Sequence, residues 1–223
     1  MHRVALSAVR CGFLFLAIPV ILLGCSGPGA EAPEAVVSAP VTTETVVAPP
    51  DDAPPVSIFI LTDETAIGFE GAKVFGTHVG GFGVFTGTVT VPESGIEDAS
   101  IDLTIDLAST YSDDTELTRV LKGEKFFDVE TFPVSTFQST RIKKLDTGYE
   151  VTGNFDLHGV TKSITFPATI EISGDTLTAE AEFRINRFDF NITYPGFADD
   201  LIRDQVLVFF DVEATRQMPE TIE

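Results

Sequence analysis

Along the second half of the chain, apolar and polar residues alternate with a period of two. In 101–107, Ile101, Leu103, Ile105 and Leu107 alternate with Asp102, Thr104 and Asp106. The pattern returns in 149–158, where Tyr149, Val151, Gly153, Phe155 and Leu157 share one phase, and in 164–172, with Ile164, Phe166, Ala168, Ile170 and Ile172. Segment 177–185 puts Leu177, Ala179, Ala181, Phe183 and Ile185 on one face. In 206–214, Val206, Val208, Phe210, Val212 and Ala214 share a face, although Leu207 and Phe209 blur the contrast. Successive strand side chains point to opposite faces, so these segments predict half-buried antiparallel strands. Turn signals separate them at Glu93-Ser94-Gly95, Asp146-Thr147-Gly148 and Ser173-Gly174-Asp175. Only 114–123 predicts a helix, with Asp113 or Asp114 capping it and Gly123 closing it. Many strands and one short helix predict an all-β sandwich or barrel, and the pattern alone leaves both open. The apolar faces must meet in one interior, which in a barrel of about eight strands is either just filled or holds one small ligand.

The N-terminus follows another rule. Arg3 and Arg10 precede an apolar run over 12–23, too short to span a bilayer comfortably and typical of a secretory signal. It ends in Leu22-Leu23-Gly24-Cys25-Ser26, which resembles the bacterial lipobox, where cleavage precedes a cysteine whose thiol is acylated. Residues 26–56 hold seven of the thirteen prolines, with no aromatic and no basic residue, and predict a disordered, extended spacer. The expected division is a signal over 1–24, the acylated Cys25 and its tether over 25–57, and one domain over 58–223. Ser26 is not an aspartate-type retention signal, so the expected site is the periplasmic face of the outer membrane.

Composition narrows the partners. With 34 acidic and 14 basic residues the net charge is −20. Nucleic-acid binding is excluded because it rests on clustered cations, and charge-driven docking on an anionic membrane is excluded likewise. Cys11 and Cys25 both lie near the N-terminus and cannot build a disulfide framework. The scattered histidines, His2, His78 and His158, nominate no metal site. No nucleophile elbow or glycine-rich phosphate loop is present, so no catalytic residue and no cofactor is assigned.

Three blocks carry a resemblance. The first is Gly76-Thr77-His78-Val79-Gly80-Gly81-Phe82, leading to Phe85-Thr86-Gly87. The second is Phe126-Phe127-Asp128-Val129-Glu130-Thr131-Phe132-Pro133, followed by Thr136-Phe137-Gln138-Ser139-Thr140. The third is His158-Gly159-Val160-Thr161-Lys162, then Ile185-Asn186-Arg187-Phe188-Asp189-Phe190. Together they resemble the YceI-like family of bacterial envelope proteins over roughly 58–215. The resemblance implies an eight-stranded antiparallel, lipocalin-like barrel holding a long isoprenoid, such as a polyprenyl chain or quinone tail. One stretch departs from the family: its Arg-Asp-x-His-Leu-Arg run is replaced here by Leu117-Thr118-Arg119-Val120-Leu121-Lys122.

On this reading the ligand-binding residues are Ile101, Leu103, Ile105, Phe127, Phe155, Leu157, Phe166, Ala179, Ala181, Phe183 and Ile185. Small inward residues, Gly153, Ala168, Ala179 and Ala181, would leave room for a chain. His78 and Arg187 are candidates for the head group. Each also has a structural reading: His78 bonded to a carbonyl near a glycine turn, Arg187 paired with an acid such as Asp189. Phe126 and Phe127 either gate the barrel or form a buried pair, and His158 belongs to a turn. The expected function is a non-enzymatic, lipid-anchored carrier or reservoir for an isoprenoid lipid. The alternative is an envelope stress or interaction module whose barrel is filled by its own side chains, and an isoprenoid-modifying enzyme would rest on His78 alone.

Overall fold

The computed structural model describes residues 29, 31–42, 56–198 and 200–218. Cys11, Cys25 and the predicted signal lie outside the described residues, as does 43–55 of the predicted tether. A short strand, β1 (Val36–Ser38), comes first, followed by β2 (Val56–Leu61), β3 (Ala66–Lys73), β4 (Gly76–Phe82) and β5 (Phe85–Pro92). Next come β6 (Ser100–Asp106), β7 (Thr110–Ser112) and the helix α1 (Thr115–Lys122). Three long strands follow: β8 (Val134–Lys144), β9 (Tyr149–Leu157) and β10 (Val160–Ser173). The chain finishes with β11 (Thr176–Asn186), a small hairpin of β12 (Gly196–Phe197) and β13 (Asp200–Leu201), and β14 (Gln205–Arg216).

All pairings between neighbouring wall strands are antiparallel. Going around, β2 pairs β5, β5 pairs β6, then β8, β9, β10, β11 and β14 follow, and β14 returns to β2. The wall is a closed eight-stranded barrel, the architecture the sequence resemblance implies. Three of its strands are long ribbons with a break. Along one side of β14, Ala214–Arg216 pair with β2 and Leu207–Asp211 pair with β3, so β3 simply continues β2. The break at 62–65 is made by threonines: the Thr62 and Thr65 hydroxyls donate to the Glu213 carbonyl at 3.1 and 2.9 Å, standing in for ladder bonds. Such bulges sharpen strand curvature, which a closed wall requires. In the same way β4 continues into β5 and β6 into β7.

The predicted helix forms as expected. Asp114 accepts from the Leu117 N–H at 2.7 Å, satisfying one of the orphan donors of the first turn, and Gly123 ends the helix in extended conformation. The three predicted turns hold Gly95, Gly148 and Gly174, all in the left-handed region that side chains avoid. His158 and Gly159 are the two central residues of the β9–β10 hairpin, both with positive φ, as a tight primed turn demands.

The predicted tether needs correction. Residues 31–42 are not a free spacer. Beyond the β10–β11 pairs Thr169–Ser173 with Glu180–Thr176, the two strands part. β1 enters the seam, pairing antiparallel with Ser163–Thr165 of β10. On its other side the Ala35 N–H donates to the Arg184 carbonyl and the Arg184 N–H to the Pro33 carbonyl, both at 2.9 Å. Ala35 is buried and Val37 packs on the core, while Val36 faces water. Two strand edges left without partners are costly, and a short alternating segment between prolines supplies the missing donors and acceptors.

Candidate functional site

The inward phases of the wall strands enclose a cavity of about 260 Å³ that runs from the α1 end to the opposite end near Ile96. Its lining is almost entirely carbon. Native cores are packed with few voids larger than a water molecule, so a space of this size is a feature of the fold. Ile101, Leu103, Ile105, Phe127, Phe155, Leu157, Phe166, Ala179, Phe183 and Ile185 all line it. Ala181 does not: it keeps the inward phase and packs on the core opposite Phe210, but away from the cavity surface. Gly153 leaves no room for a ligand either, because the Phe137 ring occupies the space where its side chain would stand. The sequence reading missed the lining from β3 and β14, including Ile67, Phe69, Gly71, Val208 and Phe210. Gly71 is informative, since a Cβ built there meets nothing within 4 Å.

Aromatic rings shape the interior. Phe166 stacks on Phe183 at 4.2 Å between centroids, and Phe137 and Phe210 join them at 5.8 and 5.7 Å from Phe166. Nearer the helix, Phe127 meets Phe69 and Phe82 at 5.9 and 5.8 Å. Phe127 is held there by its own N–H, which donates to the Leu121 carbonyl at the end of α1. Phe126 turns instead to Tyr194, in the loop between β11 and β14. Phe126 and Phe127, the adjacent pair that opens the second sequence block, thus close the helix end of the barrel. The two outward apolar residues of β14 that blurred its alternation are also explained. Leu207 is covered by Gly29 of the N-terminal segment, and the Phe209 ring lies over Gly68 of β3.

Polar groups gather at one end. Lys73, His78 and Arg187 all contribute to the cavity lining at the helix end. His78 bonds through Nδ1 to Oδ1 of Asp113 at 2.9 Å, so its partner is a carboxylate rather than the backbone carbonyl considered from sequence. That hydrogen bond, helped by the Val79 N–H, holds the exposed Asp113 carboxyl below the usual carboxylate range. Arg187 is buried and does not pair with Asp189. Its guanidinium donates to the backbone carbonyls of Arg203, Ile192 and Ile202 at 3.0, 2.6 and 3.3 Å. Burial lowers its pKa, opposed by the charge of Asp204. It knits the long β11–β14 loop while presenting one edge to the cavity. His158 lies apart from this group, its ring packed on Phe132 at 4.7 Å. Among the described residues no cluster of three or more His, Cys, Asp or Glu side chains is placed to hold a metal ion.

A closed, predominantly antiparallel barrel with a carbon-lined interior and cationic groups at one end belongs to the lipocalin-like class. Within it, the YceI-like domain matches residues 60–214, and the chain belongs to that family. Protein YceI of Salmonella arizonae is 36% identical over 120 residues, which is 51% of this chain and 63% of that protein, so less than two thirds of that relative is spanned. BcnA of Burkholderia cenocepacia superposes with a TM-score of 0.63 at 26% identity, over 68% of this chain and 97% of its own. A polyisoprenoid-binding domain from Saccharophagus degradans, implicated in plant cell wall breakdown, shares the fold. It gives a TM-score of 0.59 at 18% identity, over 73% of this chain and 100% of that domain.

Proposed function

We propose that the barrel holds the chain of a long isoprenoid lipid as a carrier or reservoir, without catalysis, in a bacterial envelope. The observation that carries this reading is the carbon-lined cavity with Lys73, His78 and Arg187 gathered at one end. That asymmetry matches an amphiphile with a long apolar tail and a single polar head, and the likeness to a polyisoprenoid-binding domain points to the same ligand class. A tail that buries roughly 500 Å² at ~25 cal/mol/Å² gains about 12 kcal/mol gross. Association costs of roughly 4–15 kcal/mol offset much of that gain, leaving reversible binding suited to a carrier. Lys73, His78 and Arg187 would face the head group. Acylation of Cys25 would tie the barrel to the membrane, facing the periplasm.

Native mass spectrometry of the protein purified from its own envelope, with organic extraction of what it carries, tests the reading. The expected result is a co-purifying polyprenyl lipid or isoprenoid quinone at up to one per chain. A protein that carries none and takes up no added polyprenol from detergent refutes it. That result would favour the self-filled barrel, for which the four-ring cluster around Phe166 is the observation in its support.

A further inference from the structure

The end of the barrel that carries Lys73, His78 and Arg187 also displays large apolar side chains to water. The β3–β4 turn presents Val74 and Phe75, which are 51% and 84% exposed. The β12–β13 hairpin presents Phe197 and Leu201, 68% and 49% exposed. The two tips are neighbours, because Lys73 forms an antiparallel bridge with Ile202, and the Arg203 N–H donates to the Ala72 carbonyl at 2.8 Å. Lys73 and Ile202 also line the cavity, so the exposed side chains rim its polar end. Folding does not require two phenyl rings on adjacent turns, and clustered apolar exposure marks a contact surface.

The first described residue lies toward the same end. Gly29 lies against Leu207, whose partner in register is Glu70 of β3, three residues before Lys73. Cys25 is only four residues earlier, so even fully extended the chain places it within about 14 Å of Gly29. With 31–42 pinned in the barrel wall, an acyl group on Cys25 would hold this end near a bilayer. A net charge of −20 sets the molecule as a whole against attraction to anionic lipid, and the exposed apolar side chains at this end point to insertion into the interface as the means of contact.

We propose that Val74, Phe75, Phe197 and Leu201 form a membrane-docking surface that sets the polar end of the cavity against a bilayer. The proposal rests on the isoprenoid-carrier reading for its purpose and on Cys25 acylation for its orientation. The absence of tryptophan makes the test direct, since Phe75→Trp and Phe197→Trp each introduce a single reporter. Ile172→Trp, at the opposite end beside the β10–β11 turn, is the control. Each full-length variant, purified with its own N-terminus, is bound to phosphatidylcholine vesicles with brominated acyl chains. The expected result is a blue-shifted emission and strong quenching for Phe75→Trp and Phe197→Trp, and neither for Ile172→Trp. No quenching at either tip, or equal quenching at all three positions, overturns the proposal. So does concentration-dependent self-association in the absence of vesicles that Phe75→Ser abolishes, which would make a second copy the occupant. As a second readout, the double variant Phe75→Ser/Phe197→Ser should take up polyprenol from vesicles on the order of tenfold more slowly, or worse. Its uptake from detergent should be unchanged. If the unaltered protein fails to take up polyprenol from detergent, the carrier reading falls, while the quenching still decides the docking surface.

Discussion

A buried guanidinium normally needs a carboxylate to offset its desolvation, yet Arg187 is satisfied by three backbone carbonyls of a single loop. The planar fork of arginine suits several acceptors at once, which a lysine ammonium on a flexible stem cannot match. Arg187→Met should therefore strand those carbonyls and destabilise the protein by about 2–4 kcal/mol in urea denaturation, with Arg187→Lys recovering little of it. An unchanged midpoint would show that the loop holds itself. At this scale the sequence marks which residues matter more clearly than what they do. Asn186-Arg187 stands out in its motif, but its partners come from 192–203, and no local pattern predicts a backbone acceptor. Glycines divide the same way. Gly153 and Gly71 look alike along the chain, yet the Phe137 ring fills the first site and nothing fills the second. Only the packing of neighbouring strands separates them.

Strand alternation was legible wherever polar and apolar residues kept strict order, and β6, β9, β10, β11 and β14 follow the predicted segments closely. It was not legible over 66–92, where Gly68, Gly71, Gly76, Gly80, Gly81, Gly83 and Gly87 dilute both faces and a break near 83 interrupts the ribbon. The N-terminal strand was hidden for a different reason. Proline-rich composition predicts disorder on average, whereas Ala35 and Val37 need only a three-residue ladder in a seam the rest of the fold provides. Whether this strand is integral can be measured. Ala35→Asp puts a carboxylate into the core and should expel residues 33–38 from the seam. The Arg184 amide, which donates to the Pro33 carbonyl, should then exchange its hydrogen on the order of ten to a hundred times faster, corresponding to a loss of about 1.4–3 kcal/mol of local protection. Amides of the β8–β9 pairing should stay protected. Uniform loss of protection across the barrel would mean that the strand holds the whole wall together.

For the molecule as a whole, the question is whether the cavity or the ring cluster governs what the barrel does, and small-to-large substitutions separate the two. Gly71 keeps the inward phase of Ile67, Phe69 and Lys73, lines the cavity, and has open space around it at an ordinary backbone conformation. Gly71→Phe should fill the polar end of the cavity without forcing neighbouring rings out of their rotamers. Ala179→Leu should do the same further down the barrel, since Ala179 also lines the cavity. Ala181 sits two residues along the same face but opposite Phe210, against packed rings, so Ala181→Leu overpacks instead and should cost about 1–3 kcal/mol. A carrier predicts that polyprenol uptake is lost at residues 71 and 179 with thermal stability nearly unchanged, and that the penalty at 181 falls on stability first. A barrel that works through its filled interior predicts destabilisation at all three positions. Thermal melts paired with polyprenol uptake on the same three variants distinguish these outcomes, because the cavity and the ring cluster share one face of β11 within a single turn of the barrel wall.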